Sequence, residues 1–246
     1  MNKKLPISAV IITKNEADRI AKTLNKLNFC KEIIVIDSNS ADGTVEIAKK
    51  SGAIVINQDF LGYGAQKNFG FSKANQPWVL SIDADEEVTS ELASSIGKAI
   101  MLSGFDGFFI CRQNFFLGKP LKYGKESKDW LLRLFRKGTA QYGNQLVHEQ
   151  MEAPENSSKI DGKLLHHTYK SWSHAIDKME KYAQLGAQEL KKKNRTRSIV
   201  VIYLLHPFYF FKHYILAGNV FNGLTGWRWS RLMAYYHTKK YLLLKQ

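Results

Sequence analysis

In its N-terminal part the chain alternates four short apolar runs with stretches of helical period, and each run ends in a polar cluster. Residues 7–12 (ISAVII) form a continuous apolar run rich in β-branched side chains, as suits a strand buried on both faces. The runs at 33–36 and 53–56 repeat the pattern, and a fourth begins at Trp78 and reaches Asp83. Between them, Ala17, Ile20, Leu24 and Leu27 recur at helical spacing, a short helix stops at Gly52, and a helical stretch holds Gln66, Lys67 and Asn68. Four strands alternating with helices imply a mostly parallel, Rossmann-like α/β sheet with right-handed crossovers. Such sheets hold ligands at the carboxyl ends of their strands, so the clusters at 13–16, 37–42 and 83–85 are expected to converge on one rim.

The sharpest of these clusters is WVLSIDADEE, residues 78–87. Residues two apart at a strand end point the same way, so Asp83 and Asp85 are expected to face one ligand while Ala84 turns away. Like charges this close repel unless a cation joins them, and carboxylate oxygens suit Mg or Mn. Glu86 and Glu87 read as first-turn carboxylates of a helix running from Thr89 to Met101. Thr13 and Glu16 fit a T-x-x-E capping box for the first helix. The position after the first strand reads TKNEAD, without the glycines of a dinucleotide fingerprint, and the chain has no G-x-x-x-x-G-K-[ST] loop. The charge of a bound diphosphate would then fall to a metal at Asp85 and to Lys67.

Beyond Gly107 the pattern changes to short pieces, GFFICR, NFFLG, WLLRLFRKG and NQLVHEQM, that read as mixed or antiparallel strands. From Ser173 to Leu190 the helical period returns and ends in Lys191, Lys192, Lys193, Arg195 and Arg197. Residues 198–211 (SIVVIYLLHPFYFF) are shorter than the roughly 20 residues a membrane-spanning helix needs, and Pro207 is expected to break them. Charge is lopsided: residues 1–158 carry 20 Lys and Arg against 18 Asp and Glu, and residues 159–246 carry 16 against 4. A tail of net +12 with Trp227, Trp229 and many other aromatics suits a helix pair lying on an anionic bilayer. The sequence therefore divides into a catalytic domain at 1–170, with halves 1–105 and 106–170, and a helical, membrane-associating extension at 171–246. Cys30 and Cys111 stand alone, which favours a reducing compartment, and residues 1–4 are too short and polar for a signal peptide.

SAVIITKNEADRI, EIIVIDSNSADGT, GYGAQKNFG and WVLSIDADEE, in that order, resemble the N-terminal half of a family 2 glycosyltransferase of the GT-A fold. FFICRQNFFLGKPLKYG, WLLRLFRKG, LVHEQM and LLHHTY resemble a narrower group, the bacterial glucosyltransferases of the lipopolysaccharide inner core. The resemblance implies that Thr13, Asn15, Glu16 and Asp37 line the uracil and ribose pocket, with Lys67 near the base or diphosphate, Asp83 toward the ribose and Asp85 on the metal. It implies His148 or His166 as a further metal ligand and Glu149 as the base of an inverting transfer. At that last position many members carry an E-D pair, where this chain has His148 and Glu149. Arg112, Arg133 and Arg136 are candidates for holding an anionic acceptor or the diphosphate. The expected partners are a UDP-sugar, a glycolipid acceptor and the cytoplasmic face of a membrane, and not nucleic acid. Two rivals remain: a nucleotidyltransferase, which would normally show a Gly-rich loop after the first strand, and a basic nucleic-acid-binding protein.

Overall fold

The computed structural model describes residues 4–127, 129–143 and 151–245. Its elements run β1 (Leu5–Thr13), α1 (Ile20–Asn25), β2 (Cys30–Asp37), α2 (Thr44–Lys50), β3 (Ile54–Asn57), α3 (Tyr63–Ser72), β4 (Trp78–Asp83), β5 (Glu86–Val88) and α4 (Ser90–Ala99). Then follow β6 (Gly107–Phe116), β7 (Lys119–Pro120), β8 (Asp129–Arg136), β9 (Gln141–Tyr142), β10 (Met151–Glu152), β11 (Ser157–His166), α5 (Trp172–Lys192), α6 (Ile199–Phe211) and α7 (Gly223–Leu242). The main sheet has the order β3-β2-β1-β4-β8-β6-β11-β5, with β7 attached to β6. The first four strands in that order are parallel, while β4–β8 and β11–β5 are antiparallel. β9 and β10 form a separate pair.

Contacts divide the chain into two compact units. One comprises Met1–Arg112 and Trp130–His166, the other Gln113–Asp129 and His167–Gln246. In the sheet unit, the runs read as doubly buried strands are buried: Ile7, Ala9, Ile11, Val35, Leu80 and Ile82 pack with Ile20, Leu24, Leu92 and Ile96 of the covering helices. On the other side, Val10, Ile34 and Ile36 meet Phe71 of α3. A Cβ on Gly70 would stand 2.5 Å from Val10 Cγ1, so glycine is what lets α3 lie this close to the sheet.

In the helical unit, Phe116 and Leu121 pack with Ala175, Met179 and Leu232, and the Phe116 ring meets Tyr169, Trp172 and Trp229 edge-on. α7 packs against both α5 and α6. Buried Asn219 donates to Glu126 Oε2 (2.9 Å) and to the His213 carbonyl (3.0 Å), while Trp229 Nε1 donates to Glu126 Oε1 (3.0 Å). These bonds fasten the 119–127 segment to the helices.

Three sequence expectations are corrected. Thr13 and Glu16 form no capping box: Thr13 is the last residue of β1, α1 begins only at Ile20, and its N-cap Arg19 makes no side-chain cap bond. Pairing of Thr13 with Asp37 across β1–β2 holds Thr13 in the strand. Glu86 and Glu87 are not helix carboxylates but strand residues of β5, paired with His166 and Leu165 of β11, and Thr89 caps α4 through the Leu92 amide. Pro207 does not end its helix. α6 runs through it and continues as a π-helical turn, Lys212–Leu216, with α7 packed along it.

Candidate active site

Strand register builds the rim. Thr13 lies opposite Asp37, and Ile12 opposite Asp83, so the ends of β1, β2 and β4 are level. The first two loops are sewn together by side chains accepting from backbone amides. Asn15 N–H donates to Ser40 Oγ (2.9 Å), Glu16 N–H to Thr44 Oγ1 (2.9 Å), Ala17 N–H to Asp42 Oδ2 (3.2 Å), and Ala41 N–H to Asn15 Oδ1 (2.8 Å). These bonds replace the expected capping box: the amides after β1 are satisfied by the neighbouring loop, not by their own helix. Asn15 adopts a left-handed conformation (φ 54°), which asparagine tolerates better than most residues. Asp37 is buried and accepts from the amide and hydroxyl of Ser40 at 2.8 and 2.5 Å. Buried Gln66 of α3 donates to Ser38 Oγ (3.0 Å) and to the Gln58 carbonyl (3.1 Å), tying the third loop to the second.

Asp83 and Asp85 face different cations. Asp83 Oδ1 is 2.6 Å from Lys67 Nζ, and its Oδ2 is 2.8 Å from Arg133. Arg133 is buried on β8, and its guanidinium also reaches Glu86 Oε1 at 2.6 Å. Glu86, fully buried, accepts from the Asp83 amide (2.9 Å) and lies 3.6 Å from Arg112. Burial alone would raise the Asp83 carboxyl, but Arg133 and then Lys67 outweigh it and hold it well below the usual carboxylate range. For Glu86 burial wins: its carboxyl is pushed up, against the pull of Arg133 and with Asp83 adding to the rise. Burial would lower the Lys67 ammonium, yet Asp83 holds it above its ordinary value.

Asp85 stands on the turn after β4, anchored from below by Thr23 Oγ1, which donates to the Ala84 carbonyl at 2.8 Å. Its carboxylate lies 3.5 Å from Arg19 and 3.5 Å from His166 Nε2, and Arg19 in turn pairs with Glu16 at 3.0 Å. His166 arrives beside Asp85 because β11 pairs with β5, His166 opposite Glu86. His167 turns away and stacks near Phe115, with centroids 4.4 Å apart.

The structure therefore gathers Thr13, Asn15, Glu16, Asp37, Lys67, Asp83, Asp85 and His166 on one rim. His148 and Glu149 lie outside the described residues. Among the described residues no group of three His, Cys, Asp or Glu side chains converges as a metal cage. Asp85 and His166 nonetheless supply one oxygen and one nitrogen donor side by side. That set fits a divalent cation that takes the rest of its shell from phosphate oxygens and water, as Mg and Mn do. Sequence reasoning missed Arg19, Glu86 and the Asp83–Arg133 pair. The T-x-x-E and D-E-E patterns drew attention to helix caps. Arg133, a candidate for an anionic ligand by its sequence, is engaged by two carboxylates of its own chain. Tyr142 was missed too: it exchanges two 2.9 Å bonds with Asn68, and Lys67 lies 5.4 Å from its ring centre.

The family model described as glycosyl transferase family 2 matches residues 8–153. An uncharacterized glycosyltransferase of Rickettsia conorii is 31% identical over 96% of this chain and 89% of its own length. A lipopolysaccharide core biosynthesis glycosyltransferase, LpsC of Rhizobium meliloti, is 31% identical over 91% of this chain and 86% of its own. Among solved structures, the mannosyltransferase PcManGT of Pyrobaculum calidifontis, determined with GDP-Man and Mn, aligns over 99% of this chain and 88% of that one. Its TM-score is 0.52 at 12% identity. S. aureus TarS 1-349 aligns over 73% of this chain and 64% of that one, with a TM-score of 0.52 at 17% identity. These likenesses show the fold, a GT-A arrangement of mixed α/β sheet flanked by helices.

Proposed function

The chain belongs to glycosyl transferase family 2 and is a glycosyltransferase, and from that premise we propose that it moves a hexose, glucose first among candidates, from a UDP-sugar to a lipid-linked acceptor of the lipopolysaccharide-core type. The observation that carries this reading is the rim itself. Lys67, Arg133, Arg112 and Arg19 are matched by Asp83, Glu86, Asp85 and Glu16, so the site is close to neutral. A neutral site has little net attraction for a bare diphosphate, and this supports a donor bound together with its own divalent cation, Mg or Mn.

Asp85 and His166 would hold that cation, which supplies charge neutralisation to the departing diphosphate. Asp37, with Thr13 beside it at the level rim, is placed to accept from ribose hydroxyls, and Asn15 and Glu16 brace the loop over the base. The Lys67 ammonium, held by Asp83, presents its charge from the floor of α3. An inverting transfer also needs a group that takes the proton of the acceptor hydroxyl, and Glu149 is the residue proposed for it. The similarity to LpsC supports the acceptor class.

The helical unit supports work at a membrane surface. Val200, Tyr203, Leu204, Phe208 and Phe211 of α6 are at least half exposed. Residues Ile199–Leu216, 18 in number, are long and apolar enough to cross a membrane by length and composition, and only 6% of them is buried in the protein. Lys212 interrupts this stretch and cationic side chains flank it, so the proposal is a helix lying on the cytoplasmic face of the membrane. The test is release of UDP from UDP-glucose in the presence of Mn and extracted core glycolipid. Turnover that needs both additions is expected; unchanged turnover with a chelator present would overturn the cation-dependent reading.

A further inference from the structure

We propose that the helical unit carries a built site for the phosphodiester headgroup of an anionic phospholipid, at the corner where α5 gives way to α6. This rests on the membrane reading above and names its anchor. A cavity of about 550 Å³ opens there, within the usual range for small-ligand sites. Its polar wall carries Gln184, Gln188, Lys191 and Arg195, its apolar wall Leu243 and Leu244, and among the described residues no carboxylate lines it. Neither Lys191 nor Arg195 has an ion-pair partner among the described residues, in contrast to Arg19, Lys67, Arg112 and Arg133 at the catalytic rim.

The chain builds the corner by a left-handed turn at Asn194 (φ 50°), which folds Arg195 back over the last turn of α5. The Asn194 amide donates to the Lys191 carbonyl (3.0 Å) and the Arg195 amide to that of Leu190 (2.9 Å). Two terminal carbonyls of α5, those of Leu190 and Lys191, are thus capped by backbone amides. Two cations over an apolar wall match a phosphodiester carrying acyl chains. Continuity with α6 selects a lipid over other anions: Thr196 lines the cavity, Ser198 caps α6, and the exposed apolar face starts at Ile199. A second copy of the chain would bring another tail of net +12 against this one, whereas an anionic bilayer is complementary to it.

The experiment uses the full chain and two double variants of equal charge change, Lys191→Gln/Arg195→Gln in the cavity and Lys192→Gln/Lys193→Gln beside it. Binding is measured to vesicles of equal parts phosphatidylcholine and phosphatidylglycerol, and to monomeric dihexanoyl phosphatidylglycerol. The wild-type chain is expected to bind both, and the cavity variant to lose at least about tenfold in affinity for the monomer, as two lost charge-assisted bonds imply. The neighbouring variant should stay within about twofold on the monomer, though both weaken on vesicles through the loss of surface charge. Equal losses by the two variants, no monomer binding, or displacement of the lipid by equimolar inorganic phosphate would overturn the site while leaving the membrane reading intact. No binding of the wild-type chain to the vesicles, or a preference for duplex DNA, would overturn both.

Discussion

The two units handle charge in opposite ways. At the catalytic rim Asp83, Asp85 and Glu86 each face a cation, and one guanidinium, that of Arg133, ties Asp83 to Glu86. In the helical unit, cations greatly outnumber carboxylates, and those around α6 stand at the surface beside exposed aromatic and aliphatic side chains. Charges paired inward make a rigid, neutral site that selects a ligand by shape and by the cation it brings. Charges left outward make a field that selects a surface by its sign. The first should be sensitive to single substitutions, and the second to sums of charge and to salt.

The largest effect is expected at Asp85. Asp85→Asn keeps the shape but removes the carboxylate beside His166, and kcat for UDP release should fall on the order of 10³-fold, as when a main electrostatic stabiliser is removed. Full turnover in this variant would break the proposed division between Asp83 and Asp85. Next comes Arg133→Met, which strands two buried carboxylates; urea unfolding should show a loss of about 3–5 kcal/mol. Adding Glu86→Gln to that variant should restore part of the loss, because one of the uncompensated charges is gone. If the double variant is no more stable than the single one, the pairing is not what holds this region.

Smaller effects belong to the helical unit. Leu204→Ser with Phe208→Ser removes two exposed apolar side chains, and partitioning onto anionic vesicles should weaken by at least ~10-fold, given roughly 1.5–3 kcal/mol for each side chain buried. Turnover of a water-soluble acceptor fragment should be unchanged. The smallest effect is a pH dependence. Burial pushes the His237 imidazole from 6.5 down to about 3, with Lys240, His213 and Lys212 adding to the shift, and its ring stacks with those of Tyr209 and His213. The folded state therefore favours the neutral ring. This contribution to stability is complete above pH 6.5 and is lost as pH falls from there toward 3. The melting temperature should drop over that window, and His237→Phe should flatten the slope.

Much of the sheet unit was legible because its signals are local. Period and β-branching mark β1 to β4, and their register then levels Thr13, Asp37 and Asp83 without further information. The rim residues followed from the rule that parallel strands end at the ligand. What local patterns could not carry was partnership over long separations. Glu86 looks like a first-turn helix residue until Arg133, far along the chain, is brought beneath it. Thr13 and Glu16 look like a cap until Ser40, Asp42 and Thr44 satisfy the same amides from another loop. Pro207 looks like a stop until α7 packs along the helix that contains it.

By itself, then, the sequence determined the α/β class, the ordered motifs of the family, the level rim and the basic, aromatic tail, since each depends on neighbours within a few residues or on net composition. Only the tertiary structure decided that Asp83 is spoken for by Lys67 and Arg133 while Asp85 stands with His166. It also decided that Gln113–Asp129 belongs to one compact unit with the C-terminal helices. The physical reason is the same in both cases. A buried charge must find an opposite charge, and an apolar segment a matching surface, and the chain can supply either from any distance along its length.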